Sequence, residues 1–223
     1  MFTPNLDILP GASRRLWAEL RDTPTSFVLY GGTALALRLA HRQSEDFDFF
    51  CNSSFQPSTL LDTIRYLKNA EVSQLEENTL TVIVDRMGPV KISFFGGLNL
   101  NRAKDPDIVE ENGLRVASAL DVVATKLKTI QQRAQARDYM DIAAALRAGL
   151  DLAEALAAAD IIYGKAFNGA LSLKALTYFE DGDLPSLTSE TRRKLREAAT
   201  SVDLRKLPHL MTKSGISEEE GRS

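Results

Sequence analysis

Asp46 and Asp48 alternate in the run Ser44-Glu45-Asp46-Phe47-Asp48-Phe49-Phe50. Their aromatic neighbours predict a half-buried strand, in which residues i and i+2 share a face, so the two carboxylates stand side by side. Like charges placed together among phenylalanines repel and resist desolvation unless a cation or strong donors join them. A divalent cation meets that need. With one cysteine, Cys51, and two histidines, His41 and His209, the chain offers no thiolate or imidazole cluster, so the expected ion is oxygen-bound Mg²⁺ or Mn²⁺ held by Asp46 and Asp48.

Upstream, the apolar segment Phe27-Val28-Leu29-Tyr30 runs into Gly31-Gly32-Thr33. A strand, a diglycine and a helix start make a phosphate seat, because glycine allows close backbone approach and the first helical N–H groups are unpaired. Thr33 adds a hydroxyl. A diglycine alone is more often an ordinary turn, and an Asp-x-Asp alone is more often a solvated pair. The weight lies in the combination of seat and carboxylates. His41 reads as a surface or capping residue and Cys51 as a small buried hydrophobe.

The elements that must position these groups follow from periodicity. A helix is expected at 12–21, with Leu16, Trp17 and Leu20 as its apolar stripe, before the strand at 27–30. A short helix at 33–40, the strand carrying Asp46, and a helix at 58–69 come next. Strands at 79–84 and 90–95, separated by Asp85-Arg86-Met87-Gly88-Pro89, predict an antiparallel hairpin, and Asn112-Gly113 predicts a second one. From Ser118 the chain turns Ala-rich and helical, with helices expected from 118 and at 139–147, 152–163, 171–179 and 189–200. This predicts an α/β part over 1–117, a helical part over 118–213 and a polar, disordered tail at 214–223.

The 223 residues carry a net charge of −3 and no stretch apolar enough to span a bilayer. No secretory leader is evident, so a soluble cytoplasmic protein is expected. That charge does not advertise a nucleic-acid binder, although positive charge gathers around 126–137 and in Arg192-Arg193-Lys194-Leu195-Arg196. The latter run reads as a solvated helix face.

Two motifs in order resemble a known family. Gly31-Gly32-Thr33-Ala34-Leu35-Ala36-Leu37, followed by Arg42-Gln43-Ser44-Glu45-Asp46-Phe47-Asp48, resembles the first motif of the AbiEii/AbiGii-type nucleotidyltransferases, a branch of the DNA polymerase β-like superfamily. The run from Lys126 through Arg133 to Arg137-Asp138-Tyr139-Met140-Asp141-Ile142 resembles that family's helical motif. The resemblance covers about 27–146 and implies an α+β fold: a nucleotidyltransferase-like mixed sheet flanked by helices, with a helical C-terminal part. It further implies that Asp46 and Asp48 bind Mg²⁺ with a nucleoside triphosphate, and that Gly31, Gly32 and Thr33 seat the phosphates. Arg42 and Ser44 lie within the matching motif; Ser44 either helps end the turn before the strand or reaches a phosphate with its hydroxyl. Lys126, Asp138 and Asp141 are implied functional residues. Arg133 and Arg137 would join Lys126 on a phosphate-binding face if 126–137 were one continuous helix; otherwise Arg137 and Asp141 make an ordinary i,i+4 pair. The resemblance implies a toxin-antitoxin or phage-defence setting, an antitoxin partner and an RNA acceptor such as transfer RNA.

One departure limits these expectations. The family's third carboxylate, in a Lys-x-Asp pattern, is matched here by Lys91-Ile92-Ser93, so Ser93 stands in the aspartate's place. A neutral hydroxyl cannot replace an anionic ligand or general base. Lys91 shares the Ser93 face and is expected at phosphate or in a salt bridge to Asp48; Asp85 is the nearest carboxylate across the turn. Three readings stand: a nucleotidyl-transferring toxin, a catalytically impaired nucleotide- or protein-binding module, and a nucleotidyltransferase acting on a small hydroxylated molecule.

Overall fold

The computed structural model of the protein describes residues 2–217. These divide into two compact units, one made of residues 2–100, Asp105–Ser118 and residues 214–217, the other of Asn101–Lys104 and Ala119–Lys213.

The first unit opens with α1 (Gly11–Leu16), which tightens into a 3-10 helix over Trp17–Asp22 where the sequence predicts one continuous helix. Strand β1 (Val28–Tyr30) passes directly into α2 (Gly31–Leu39), so the diglycine is the first turn of the helix and not a loop before it. Next come β2 (Phe47–Phe50) and α3 (Pro57–Thr63), which ends earlier than predicted and is followed by a 3-10 turn at Arg65–Leu67. Strands β3 (Glu71–Glu76), β4 (Thr79–Asp85) and β5 (Pro89–Phe95) follow, then the short pair β6 (Asp107–Ile108) and β7 (Arg115–Val116). The strands form one mixed sheet in the order β3-β4-β5-β2-β1-β7-β6. Both predicted hairpins are present, β4 with β5 and β6 with β7.

Strand alternation sets the two faces of the sheet. Phe47 and Phe49 of β2 and Ile92 and Phe94 of β5 point into the core and are fully buried, and Phe49 stacks on Phe94 at 5.2 Å. The opposite face carries Asp48, Phe50, Lys91, Ser93 and Phe95. Burying the aromatic row fixes register, since a one-residue slip would drive Asp48 into the core. At the end of the described chain, Ile216 is buried and its N–H is accepted by the Asn52 side chain, so 214–217 is an ordered bend. The rest of the expected tail, 218–223, lies outside the described residues.

The second unit contains α4 (Ala119–Thr129), α5 (Ala136–Arg147), α6 (Leu152–Tyr163), α7 (Gly169–Ala175) and α8 (Ser189–Ser201). The stretch 126–137 is therefore not one helix. It breaks at 130–135, and α5 restarts at Ala136 with no capping bond from the side chain of its N-cap residue, Gln135. The missing cap is tertiary: the Asp183 carboxylate accepts the Ala136 N–H at 2.6 Å. Gly182, at φ +55°, lets this turn close on the loop, because a Cβ there would lie 2.1 Å from the Ala134 carbonyl oxygen.

Candidate active site

Gly31 and Asp48 meet at the centre of the candidate site. Tyr30 pairs with Asp48 across the antiparallel β1–β2 ladder, so the chain leaving β1 turns over the carboxylate. Gly31 takes φ +71°, and a Cβ placed on it would meet Asp48 Oδ2 at 2.7 Å. Both the backbone angle and the space require glycine. The N-cap residue Tyr30 makes no side-chain capping bond, and the first amides of a helix are donors that favour an anion. Asp46 lies immediately before β2, and both aspartates are half-buried.

Ser93 pairs with Asp48 in the parallel β2–β5 ladder and with Thr81 on its other side. Paired residues share a face, so Ser93 stands beside Asp48 at the place where a third carboxylate would stand. It is 2% exposed, with Thr81 Oγ1 at 3.4 Å. Asp85 does not replace it. That residue sits at the far end of β4, about 13 Å along the strand from Thr81 at 3.3 Å per residue, and its carboxylate accepts the Gly88 N–H in the turn.

Thr33 and Ser44 bond to each other beside Asp46. The Thr33 hydroxyl is buried and donates to the Asp46 carbonyl at 2.5 Å; having one proton, it accepts from the Ser44 hydroxyl, 2.7 Å away. These bonds tie the first turn of α2 to the segment entering β2, so the pair fixes Asp46 rather than presenting a hydroxyl to a phosphate. Arg42 donates to the neighbouring Gln43 carbonyl at 2.9 Å. Lys91 is exposed on the Ser93 face, and the salt bridge to Asp48 allowed by the sequence is absent among the described residues.

In the second unit, Lys126 of α4 meets both acidic residues of α5, with Nζ 2.6 Å from Asp138 and 2.9 Å from Asp141. Arg133 adds a bond to Asp138 at 2.9 Å. Asp138 is 1% exposed, Asp141 0% and Lys126 8%. Burial pushes the Asp138 carboxyl upward, but the Arg133 hydrogen bond and the Lys126 charge outweigh it and hold it below the usual carboxylate value. This is a buried clamp between two helices. Arg137 is exposed, and the i,i+4 pair with Asp141 does not form, because Asp141 is turned inward.

The model of the AbiEii nucleotidyl transferase toxins of type IV toxin-antitoxin systems matches residues 15–211. The chain belongs to the AbiEii nucleotidyltransferase toxin family. The match extends in both directions beyond the 27–146 suggested by the motifs, taking in the C-terminal helices. The uncharacterized protein aq_aa25 of Aquifex aeolicus (strain VF5) is 30% identical over 158 residues, covering 70% of this chain and 74% of that one. Among solved structures, a candidate nucleotidyltransferase of H. pylori aligns with a TM-score of 0.56 and 22% identity, covering 88% of this chain and 94% of the other. The MenT4 nucleotidyltransferase toxin of Mycobacterium tuberculosis H37Rv aligns at 0.59 and 17%, covering 86% and 82%. These likenesses bear out the nucleotidyltransferase-like α+β fold.

In this AbiEii-family chain, no group of three or more His, Cys, Asp or Glu side chains among the described residues could hold a metal ion. The donor set at Asp46 and Asp48 nevertheless fits Mg²⁺, which takes few protein oxygens and completes its shell with water and substrate phosphates. No described helix is long and apolar enough to cross a membrane.

Sequence reasoning missed Arg38. Its guanidinium lies 2.7 Å from the Asp107 carboxylate and donates to the carbonyls of Val116 and Ala117, pinning α2 to the β6–β7 pair. Desolvation lowers its pKa, partly offset by Asp107. An arginine inside an otherwise apolar helix was the available signal.

Proposed function

We propose that this chain binds a Mg²⁺–nucleoside triphosphate in its first unit and transfers a nucleotidyl group to an acceptor hydroxyl, as a cytoplasmic toxin with an antitoxin partner. The observation that carries the reading is the Asp48 carboxylate seated against Gly31 at the start of α2. It sets an anionic metal ligand beside helix amides that favour phosphate oxygens. Asp46 and Asp48 hold the metal, which supplies positive charge opposite the triphosphate when bound. The amides of the Gly31-Gly32 turn orient the phosphates, and exposed Lys91 adds a mobile positive charge on the same sheet face. An acceptor oxygen then forms a bond to the α-phosphorus as the bond to the bridging oxygen breaks. Pyrophosphate leaves, and the acceptor proton passes to solvent.

Lys126, Asp138 and Asp141 serve by holding α4 on α5. The acceptor favoured by the family context is an RNA hydroxyl, including one of transfer RNA. Ser93 supports a second reading, in which the site binds nucleotide but turns over slowly, because a neutral hydroxyl pairs with Asp48 in the β2–β5 register.

Incubation with labelled nucleoside triphosphates, Mg²⁺ and total RNA tests the choice. Labelled RNA that disappears with Asp48→Ala supports transfer to RNA. Metal-dependent triphosphate binding without labelling supports the slow or inactive module, and labelling that requires an added hydroxylated small molecule moves the acceptor to that class.

A further inference from the structure

We infer that the free edge of β3 is a docking strand for an extended segment of another protein in which lysine or arginine alternates with apolar side chains. Among the described residues, strand β3 is the terminal strand of the sheet and pairs only with β4. All six of its residues are exposed. An edge strand offers a row of main-chain donors and acceptors that a further strand can satisfy.

The chemistry of the occupant follows from the register. Val72 pairs with Val82 and Leu75 with Leu80, both on the core face, while Glu71, Gln74 and Glu76 pair with Ile83, Thr81 and Thr79 on the opposite face. Val72 and Leu75 could not share a face in a regular strand, since their spacing is odd. The irregularity at Ser73 corrects the phase, so that both extend the apolar core face past its covered region, 42% and 56% exposed. Glu71 and Glu76 line the other face and Glu77 follows in the turn, with no ion pair to any of the three among the described residues. Cross-strand neighbours on one face interact directly. An added strand therefore places apolar side chains beside Val72 and Leu75 and positive ones beside Glu71 and Glu76. A second copy of β3 would set glutamates against glutamates and is disfavoured.

The test uses the full chain and a short peptide of alternating lysine and valine, with binding followed by amide chemical shifts and by titration calorimetry. Saturable binding with shifts centred on 71–77 is expected. Combined Glu71→Lys, Glu76→Lys and Glu77→Lys should weaken it about tenfold or more, from three exposed charge pairs. The same peptide N-methylated at every residue keeps its charge but loses its main-chain donors along both edges, and should not bind. Equal binding of the methylated peptide, shifts centred elsewhere, concentration-dependent self-association through β3, or no binding would each overturn the proposal. Thermal unfolding of the charge-reversed chain should match wild type, since the altered side chains are exposed.

Discussion

The Asp48 carboxylate lies where a side chain on Gly31 would begin: Oδ2 is 2.7 Å from the position a Cβ would take. One residue type at position 31 thus admits the strand-to-helix turn and the closeness of the carboxylate to the helix start.

Gly31→Ala should therefore act twice. The left-handed φ of +71° costs about 1–2 kcal/mol for an L-residue, and the contact forces Asp48 to move. A lower urea midpoint, together with weakened Mg²⁺-dependent triphosphate binding, is the expected pair of outcomes. Loss of stability with intact binding would separate the turn from the site.

Lys126→Ala should be the most destabilising change in the second unit. It strands the buried Asp138 and Asp141 without their ammonium partner, for which a loss of about 3–5 kcal/mol is typical. Arg137→Ala, on an exposed side chain, should stay within about 0.5 kcal/mol. Equilibrium denaturation of the two variants checks the contrast.

Acid should release the same clamp. The folded pKa of Asp138 lies below the usual carboxylate value, so its contribution is full above the unfolded pKa and is lost as pH falls through the lower, folded value. Urea stability measured from pH 7 down to pH 2 should fall more steeply for wild type than for Asp138→Asn. Parallel curves would contradict the assignment.

Ser93→Asp should make the fold metal-responsive. It sets a second carboxylate beside Asp48 in register, and the repulsion lowers stability when divalent ions are chelated. Added Mg²⁺ should raise the unfolding temperature of the variant more than that of wild type. A rise in nucleotidyl transfer would show that the absent carboxylate limits the natural chain.

The parts of this arrangement differ in how plainly local sequence writes them. The turn from β1 into α2, the carboxylates around β2 and the β4–β5 hairpin are local patterns of glycine, alternation and turn chemistry, and all were legible. Strand β3 was not: Glu71 to Glu76 is exposed throughout, so no buried face imposes an alternation, and the irregularity at Ser73 breaks the period. The start of α5 was hidden because its capping carboxylate, Asp183, comes from 47 residues away. The bonds of Thr33 were hidden for a related reason. A hydroxyl in a glycine turn suits a phosphate, and only the tertiary return of Ser44 and Asp46 shows that its bonds are already made.

Binding of a non-hydrolysable nucleoside triphosphate by titration calorimetry, with Mg²⁺ and with chelator, tests the central assignment most directly. Wild type should bind only with the metal, and Asp46→Ala and Asp48→Ala should each abolish that binding while remaining folded. Metal-dependent binding that survives both substitutions would contradict the site at Gly31 and Asp48.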